Sequence, residues 1–202
     1  MGITPKQFQQ IQDRLNGARS SAASATPARA AVRSSAPMIV LGIDPALRNT
    51  GYGIIAATRT RARAITFGTI SSPAKWERSR CLLNIADSLR KVLREHPAEV
   101  CVIESLFYAQ NLQTALIMGE ARGASLVAVA EAGLEIYEMA PRRVKQAIVG
   151  YGGAQKLAVA KMVQRMLALD ETPAPDAADA LALALTHAQT VGRGLLATPK
   201  RL

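Results

Sequence analysis

Four acidic residues stand where solvation alone does not explain an acid. Asp44 ends the apolar run Ile39-Val40-Leu41-Gly42-Ile43, and Glu104 ends a second run, Val100-Cys101-Val102-Ile103. Short apolar runs bounded by turn residues read as strands buried on both faces, and Pro45 stops the first. The two acids therefore sit at strand C-terminal tips, where open α/β sheets place their chemistry. If the strands are parallel neighbours joined by crossovers, the carboxylates lie side by side. Asp176 and Asp179 open an otherwise Ala- and Leu-rich segment, DAADALALALTHA. Three residues apart, they share a helical face, in the first turn that favours acids. Four carboxylates cannot share one pocket without compensating cations, and an all-oxygen donor set selects hard divalent ions such as Mg²⁺ or Mn²⁺. Two such ions form the usual clamp for phosphodiester hydrolysis.

Each acid alone has a plainer explanation. Asp176 after Pro175 could be a helix N-cap, and Asp179 a solvated helix residue. Glu104 could face water at a strand end, and Asp44 could form an Asx-turn with the Leu47-Arg48 backbone. Four such coincidences on two all-apolar strands and one apolar helix are harder to accept than one shared site.

The elements that must position these acids follow in order. After the first strand, Arg48-Asn49-Thr50-Gly51 has turn composition, and Tyr52 to Ala57 reads as a second strand forming a hairpin. Arg63 to Ile70 is a third strand in the same meander, broken by Ser71-Ser72-Pro73. Trp76 to His96 carries Leu82, Ile85, Leu89 and Leu93 at helical intervals and stops at His96-Pro97. The Glu104 strand is the fourth. Gln113 to Ala132 reads as a helix with a stripe of small residues closed by Gly133, and Leu134 to Met139 as a fifth strand. Pro141 opens a short basic helix, Gly150-Tyr151-Gly152-Gly153 makes a loop, Gln155 to Leu169 is a helix, and Asp176 begins the last one. The order predicts an α/β fold with an antiparallel edge on a partly parallel sheet.

The 202 residues suit one domain of about 150 residues with tails. Residues 1–37 hold five basic residues and one acid, and residues 17–37 are almost all Gly, Ala, Ser, Arg and Pro, which cannot build a core. Within this extension Phe8, Ile11 and Leu15 have the spacing of a short helix. Residues 38–190 form the expected domain, and 191–202 a basic tail. The net charge is +10, and residues 38–202 still hold twenty basic against fourteen acidic residues, so the folded part itself favours a polyanionic partner. Cys81 and Cys101 lie inside apolar patterns and read as buried free thiols, which fit a reducing compartment. No apolar run approaches the ~18 residues of a membrane span, and no h-region follows the N-terminus.

GIDPALRNTGYG, IESLFYAQN, LIMGEARG, RRVKQAIVGYGGAQK and PDAADALALALTHA resemble, in order and spacing, the bacterial RuvC-type Holliday junction resolvases, over residues 38 to about 190. The resemblance implies an RNase H-like fold with a five-stranded mixed sheet flanked by helices. It also implies a homodimer that nicks two opposing strands of four-way junction DNA symmetrically, with two Mg²⁺ ions per site for which Mn²⁺ substitutes. It places the family's four catalytic, metal-binding acids on Asp44, Glu104, Asp176 and Asp179, and implies the RuvA-RuvB branch-migration complex as partner and the bacterial cytoplasm as location. Phe107 and Tyr108, in a polar loop after Glu104, are expected to stack on bases or wedge the junction open. Lys145 and Lys156, with Arg142 and Arg143 beside the Gly-rich loop, are expected to neutralise phosphates, the two lysines foremost. His187 has no ligand spacing to the acids. One departure stands out: the family usually has Gly after Asp-Pro, and here Ala46 follows, which would be strained if the position needs positive φ.

Three rivals share features. A sugar-kinase or actin-like ATPase also opens on Gly-Ile-Asp before a Thr-Gly turn, but it needs a second nucleotide-binding half and later Gly-rich phosphate loops. A non-catalytic DNA-binding module would not need all four acids. A ribonuclease of the same fold differs in substrate and is poorly separated by sequence.

Overall fold

The computed structural model describes residues 36–106, 111–192 and 200–202. Residues 1–35 of the expected extension with its short helix, Phe107, Tyr108 and residues 193–199 of the expected tail lie outside the described residues.

Strands β1 (Met38–Asp44), β2 (Asn49–Ala57) and β3 (Ala62–Ser71) form the antiparallel meander. Helix α1 (Arg78–Glu95) leads to β4 (Val100–Glu104), which pairs parallel with β1, and α2 (Leu112–Glu131) crosses over to β5 (Glu135–Met139), parallel to β4. Helices α3 (Pro141–Val149), α4 (Lys156–Leu167) and α5 (Pro175–Gly192) follow, and a short strand β6 (Lys200–Arg201) closes the sheet in the order β3-β2-β1-β4-β5-β6. The sheet thus has six strands where the sequence suggested five. Two residues are too few to carry an alternating pattern. They are held by long-range contacts: Lys200 and Arg201 reach Glu138 and Glu135 on β5, and β6 covers backbone groups that an edge strand would leave unpaired.

The period of two in the strands divides the core into two layers. Leu41, Ile43, Cys101 and Ile103 face α1 and α2, whereas Val40, Ile55 and Val102 face α3, α4 and α5. Both cysteines are buried and unbridged. Among the described residues no helix is long and apolar enough to cross a membrane.

The expected turn at Arg48–Gly51 lies partly in the ladder, because Asn49, Thr50 and Gly51 pair with Ser71, Ile70 and Thr69. Turn composition at that point reflects a close packing requirement described below. Helix α2 ends as expected, with Gly133 at φ 75°, and α3 ends on Gly150 at φ 83°, both in the left-handed region that Gly enters freely.

Candidate functional site

Asp44 and Glu104 end adjacent parallel strands, whose register pairs Ile43 with Ile103. Counting by twos, Asp44 follows Val40 and Gly42, and Glu104 follows Val102, so both acids belong to the face covered by α3, α4 and α5. The Asp176 and Asp179 side chains arrive from the first turns of α5. All four acids line one pocket of about 340 Å³, together with Lys145 of α3 and Lys156 of α4.

What brings α5 so close is the absence of side chains beneath it. A methyl group added to Gly42 would overlap the Ala180 carbonyl oxygen, and one on Gly51 would overlap that of Asp176. Gly51 is the register partner of Asp44. The backbone of Asp176 therefore rests beside the very residue that pairs with Asp44. These glycines were not singled out from sequence as packing residues; their spacing in GID and TGYG on facing strands was the available signal.

Ala46 is free of the strain it could have carried, since Ala168 is the one non-glycine residue at positive φ among those described. The loop after Asp44 is instead held by fully buried Thr50, another residue sequence reasoning passed over. Its hydroxyl donates to the Ala46 carbonyl (2.6 Å) and accepts from the Ala46 N–H (3.2 Å). Thr50→Val keeps the shape but removes both bonds, so its urea midpoint should fall by the equivalent of about 1–2 kcal/mol at unchanged slope.

Electrostatically the pocket is crowded. Burial, then the Asp44 charge and their shared hydrogen bond, push the Glu104 carboxyl up to about 8. Burial also raises Asp44, partly offset by the hydrogen bond it accepts from Glu104. Lys156 Nζ contacts Asp179 Oδ2 at 2.9 Å. Burial opposes the lysine's charge, but Asp179, Asp44 and Asp176 outweigh it and raise its pKa. One proton and one ammonium thus partly neutralise four acids, and negative charge remains in excess.

This has a signed consequence for stability. A carboxyl raised in the folded state keeps a proton the unfolded chain would release, so its contribution is full below about 4.5 and is lost as pH rises toward about 8. In a chelating buffer, Glu104→Gln should therefore flatten the fall in melting temperature between pH 5 and pH 8. An unchanged slope in that variant would contradict the crowding.

The donor set fits a hard divalent ion: carboxylate oxygens only, partly buried, with excess negative charge. Among the described residues no three acidic, His or Cys side chains are gathered closely enough to enclose an ion as they stand. The hydrogen bond between Asp44 and Glu104 and the Lys156 ammonium do the compensating instead.

Of the expected DNA contacts, Lys145 and Lys156 line the acidic pocket. Arg142 is exposed on α3 with its side chain against Gly152, and Arg143 is half-buried; neither lines the pocket. His187 lies two turns beyond Asp179 on α5, buried against the Tyr137 ring at 4.9 Å and away from the acids.

Residues 40–187 match the family described as crossover junction endodeoxyribonuclease RuvC. A crossover junction endodeoxyribonuclease RuvC of Akkermansia muciniphila is 47% identical over 74% of this chain and 90% of its own length. That of Heliobacterium modesticaldum is 41% identical over 78% and 98%. The structure of T. thermophilus RuvC in complex with a Holliday junction substrate superimposes with a TM-score of 0.74 at 36% identity, covering 82% of this chain and 99% of that one.

Proposed function

The chain belongs to the RuvC family of crossover junction endodeoxyribonucleases and shares its Holliday junction resolvase function, and from that premise we propose that Asp44, Glu104, Asp176 and Asp179 are its catalytic acids. The observation carrying this reading is their convergence: two acids from adjacent parallel strand tips meet two from the start of α5 in one pocket. The four acids would hold two Mg²⁺ ions, or Mn²⁺ in their place. Divalent ions bound there supply the Lewis acidity that hydrolysis of a phosphodiester to 5′-phosphate and 3′-hydroxyl requires near neutral pH.

The chain's own groups do the rest. Glu104 would release the proton it shares with Asp44 to solvent water as the ions bind. Lys156 keeps its charge and offers it to the phosphate when released from Asp179, and Lys145 adds a second cation inside the pocket. Phe107 and Tyr108 come three and four residues after Glu104 in the sequence and are suited to engage unpaired bases at the crossover. Arg142 and Arg143 extend the basic surface beside Lys145.

The substrate is four-way junction DNA, as in the T. thermophilus complex, and a homodimer would cut it symmetrically. Exposed Leu112 and Leu116 on α2 support a partner on that helix. Residues 38–190 act as the nuclease domain, with 1–37 a basic extension and 191–202 a basic tail, in the bacterial cytoplasm alongside RuvA-RuvB. The test is incubation with a mobile four-way junction, a linear duplex and an RNA–DNA hybrid in Mg²⁺. Paired nicks at symmetric positions in the junction alone are expected; cleavage of the hybrid in preference would favour a ribonuclease.

A further inference from the structure

Among the described residues Arg122 is the one buried Arg, Lys, Asp or Glu. It sits in α2, whose other buried residues are Ala121, Ser125, Ala128 and Val129. An apolar side chain would fill that space at lower desolvation cost, so the guanidinium calls for a specific reason. Its Nη1 donates to the Glu104 main-chain carbonyl (3.2 Å) and its Nη2 to Glu138 Oε1 (2.9 Å). Glu138 is the β5 register partner of Ile103, and Lys200 of β6 approaches its other oxygen at 3.5 Å.

The place of contact matters. The β1–β4 register ends at Ile43 and Ile103, so Glu104 lies one residue beyond it. On its other side, the Ser105 N–H donates to the Met139 carbonyl (2.9 Å). Glu138 belongs to the α1/α2 side of the sheet, with Ile136, whereas the Glu104 carboxyl belongs to the opposite side. Arg122 thus reaches Glu104 from behind, through the backbone.

We infer that Arg122 is a positioning residue: held by Glu138, it fixes the peptide of Glu104 where the strand leaves the sheet, and so aims the carboxyl across it. This rests on the proposal that Glu104 holds a catalytic metal ion.

The test compares wild type with Arg122→Met, which keeps bulk but loses both bonds, and Arg122→Lys, which keeps the charge but has a single donor nitrogen. With a mobile junction in Mg²⁺, Arg122→Met should lower kcat at saturating junction by about 10- to 100-fold, the cost of an ångström-scale misplacement. It should also need several-fold more Mg²⁺, both for half-maximal nicking and for the rise in melting temperature that the ion induces. Junction affinity in chelator should stay within about twofold. Arg122→Lys should recover much of the loss. A folded Arg122→Met with wild-type kcat and Mg²⁺ requirement overturns the inference, as does a loss that Arg122→Lys leaves unrepaired. Should Arg122→Met show no cooperative melt, Glu138→Gln decides, since it weakens the hold on Arg122: a raised Mg²⁺ requirement supports the inference and an unchanged one overturns it. Failure of wild type to nick would instead defeat the functional reading beneath it.

Discussion

Asp44→Asn should reduce junction nicking by at least about a thousandfold while leaving junction affinity in chelator unchanged. The amide fills the same volume at the tip of β1 but cannot carry the negative charge that a divalent ion needs. Losing several kcal/mol of transition-state charge stabilisation corresponds to a factor of this size, at tenfold per 1.36 kcal/mol. Binding has a different origin, in cations facing phosphates, and should keep its salt dependence. The same substitution should raise the melting temperature of the metal-free protein. Asp44 is partly buried beside Glu104 and raised by that burial and by Asp179 and Asp176, so removing its charge relieves repulsion in the folded state alone. Such a gain in stability with loss of function marks a site whose charges serve the reaction at the fold's expense. A metal-free Asp44→Asn protein that melts below wild type would contradict this account.

The features legible in the sequence share a physical cause: strands buried on both faces must be nearly all apolar, so an acid at the end of one stands out. That rule located Asp44 and Glu104, and the register of β1 with β4 carries them to the same sheet edge. Asp176 and Asp179 were legible because Ala and Leu surround them. Other features leave weaker traces. Arg122 occupies a helical position where a charge usually means solvent, and only its contacts with Glu104 and Glu138 reveal its burial. Strand β6 exists through pairing with β5 across a long sequence separation, and a two-residue strand has no period to read. Thr50-Gly51 resembles a turn because small residues serve turns and close packing alike. Here they belong to a strand on which a helix lies.

Gly51→Ala should show how strictly the acid cluster depends on that close approach. A Cβ at this position would overlap the Asp176 carbonyl, and the next contact, with the Asp176 carbonyl carbon, is again backbone, which cannot rotate away as a side-chain end can. The first turn of α5 must lift, and with it Asp176 and Asp179, while Asp44 and Glu104 stay on their strands. Overpacking of this kind costs about 1–3 kcal/mol, to be read from urea unfolding. Displacing two of the four acids should lower nicking by about a hundredfold or more at saturating junction. Gly42→Ala strikes the same helix one turn further on, at Ala180, and should destabilise similarly. If the helix tilts about that point, its effect on nicking will be smaller than that of Gly51→Ala, because Asp176 then moves less. Equal losses of activity would mean that α5 shifts as a rigid rod. Wild-type nicking in both would mean that the glycines do not set the position of the acids, and that the proposed metal site does not depend on strand packing.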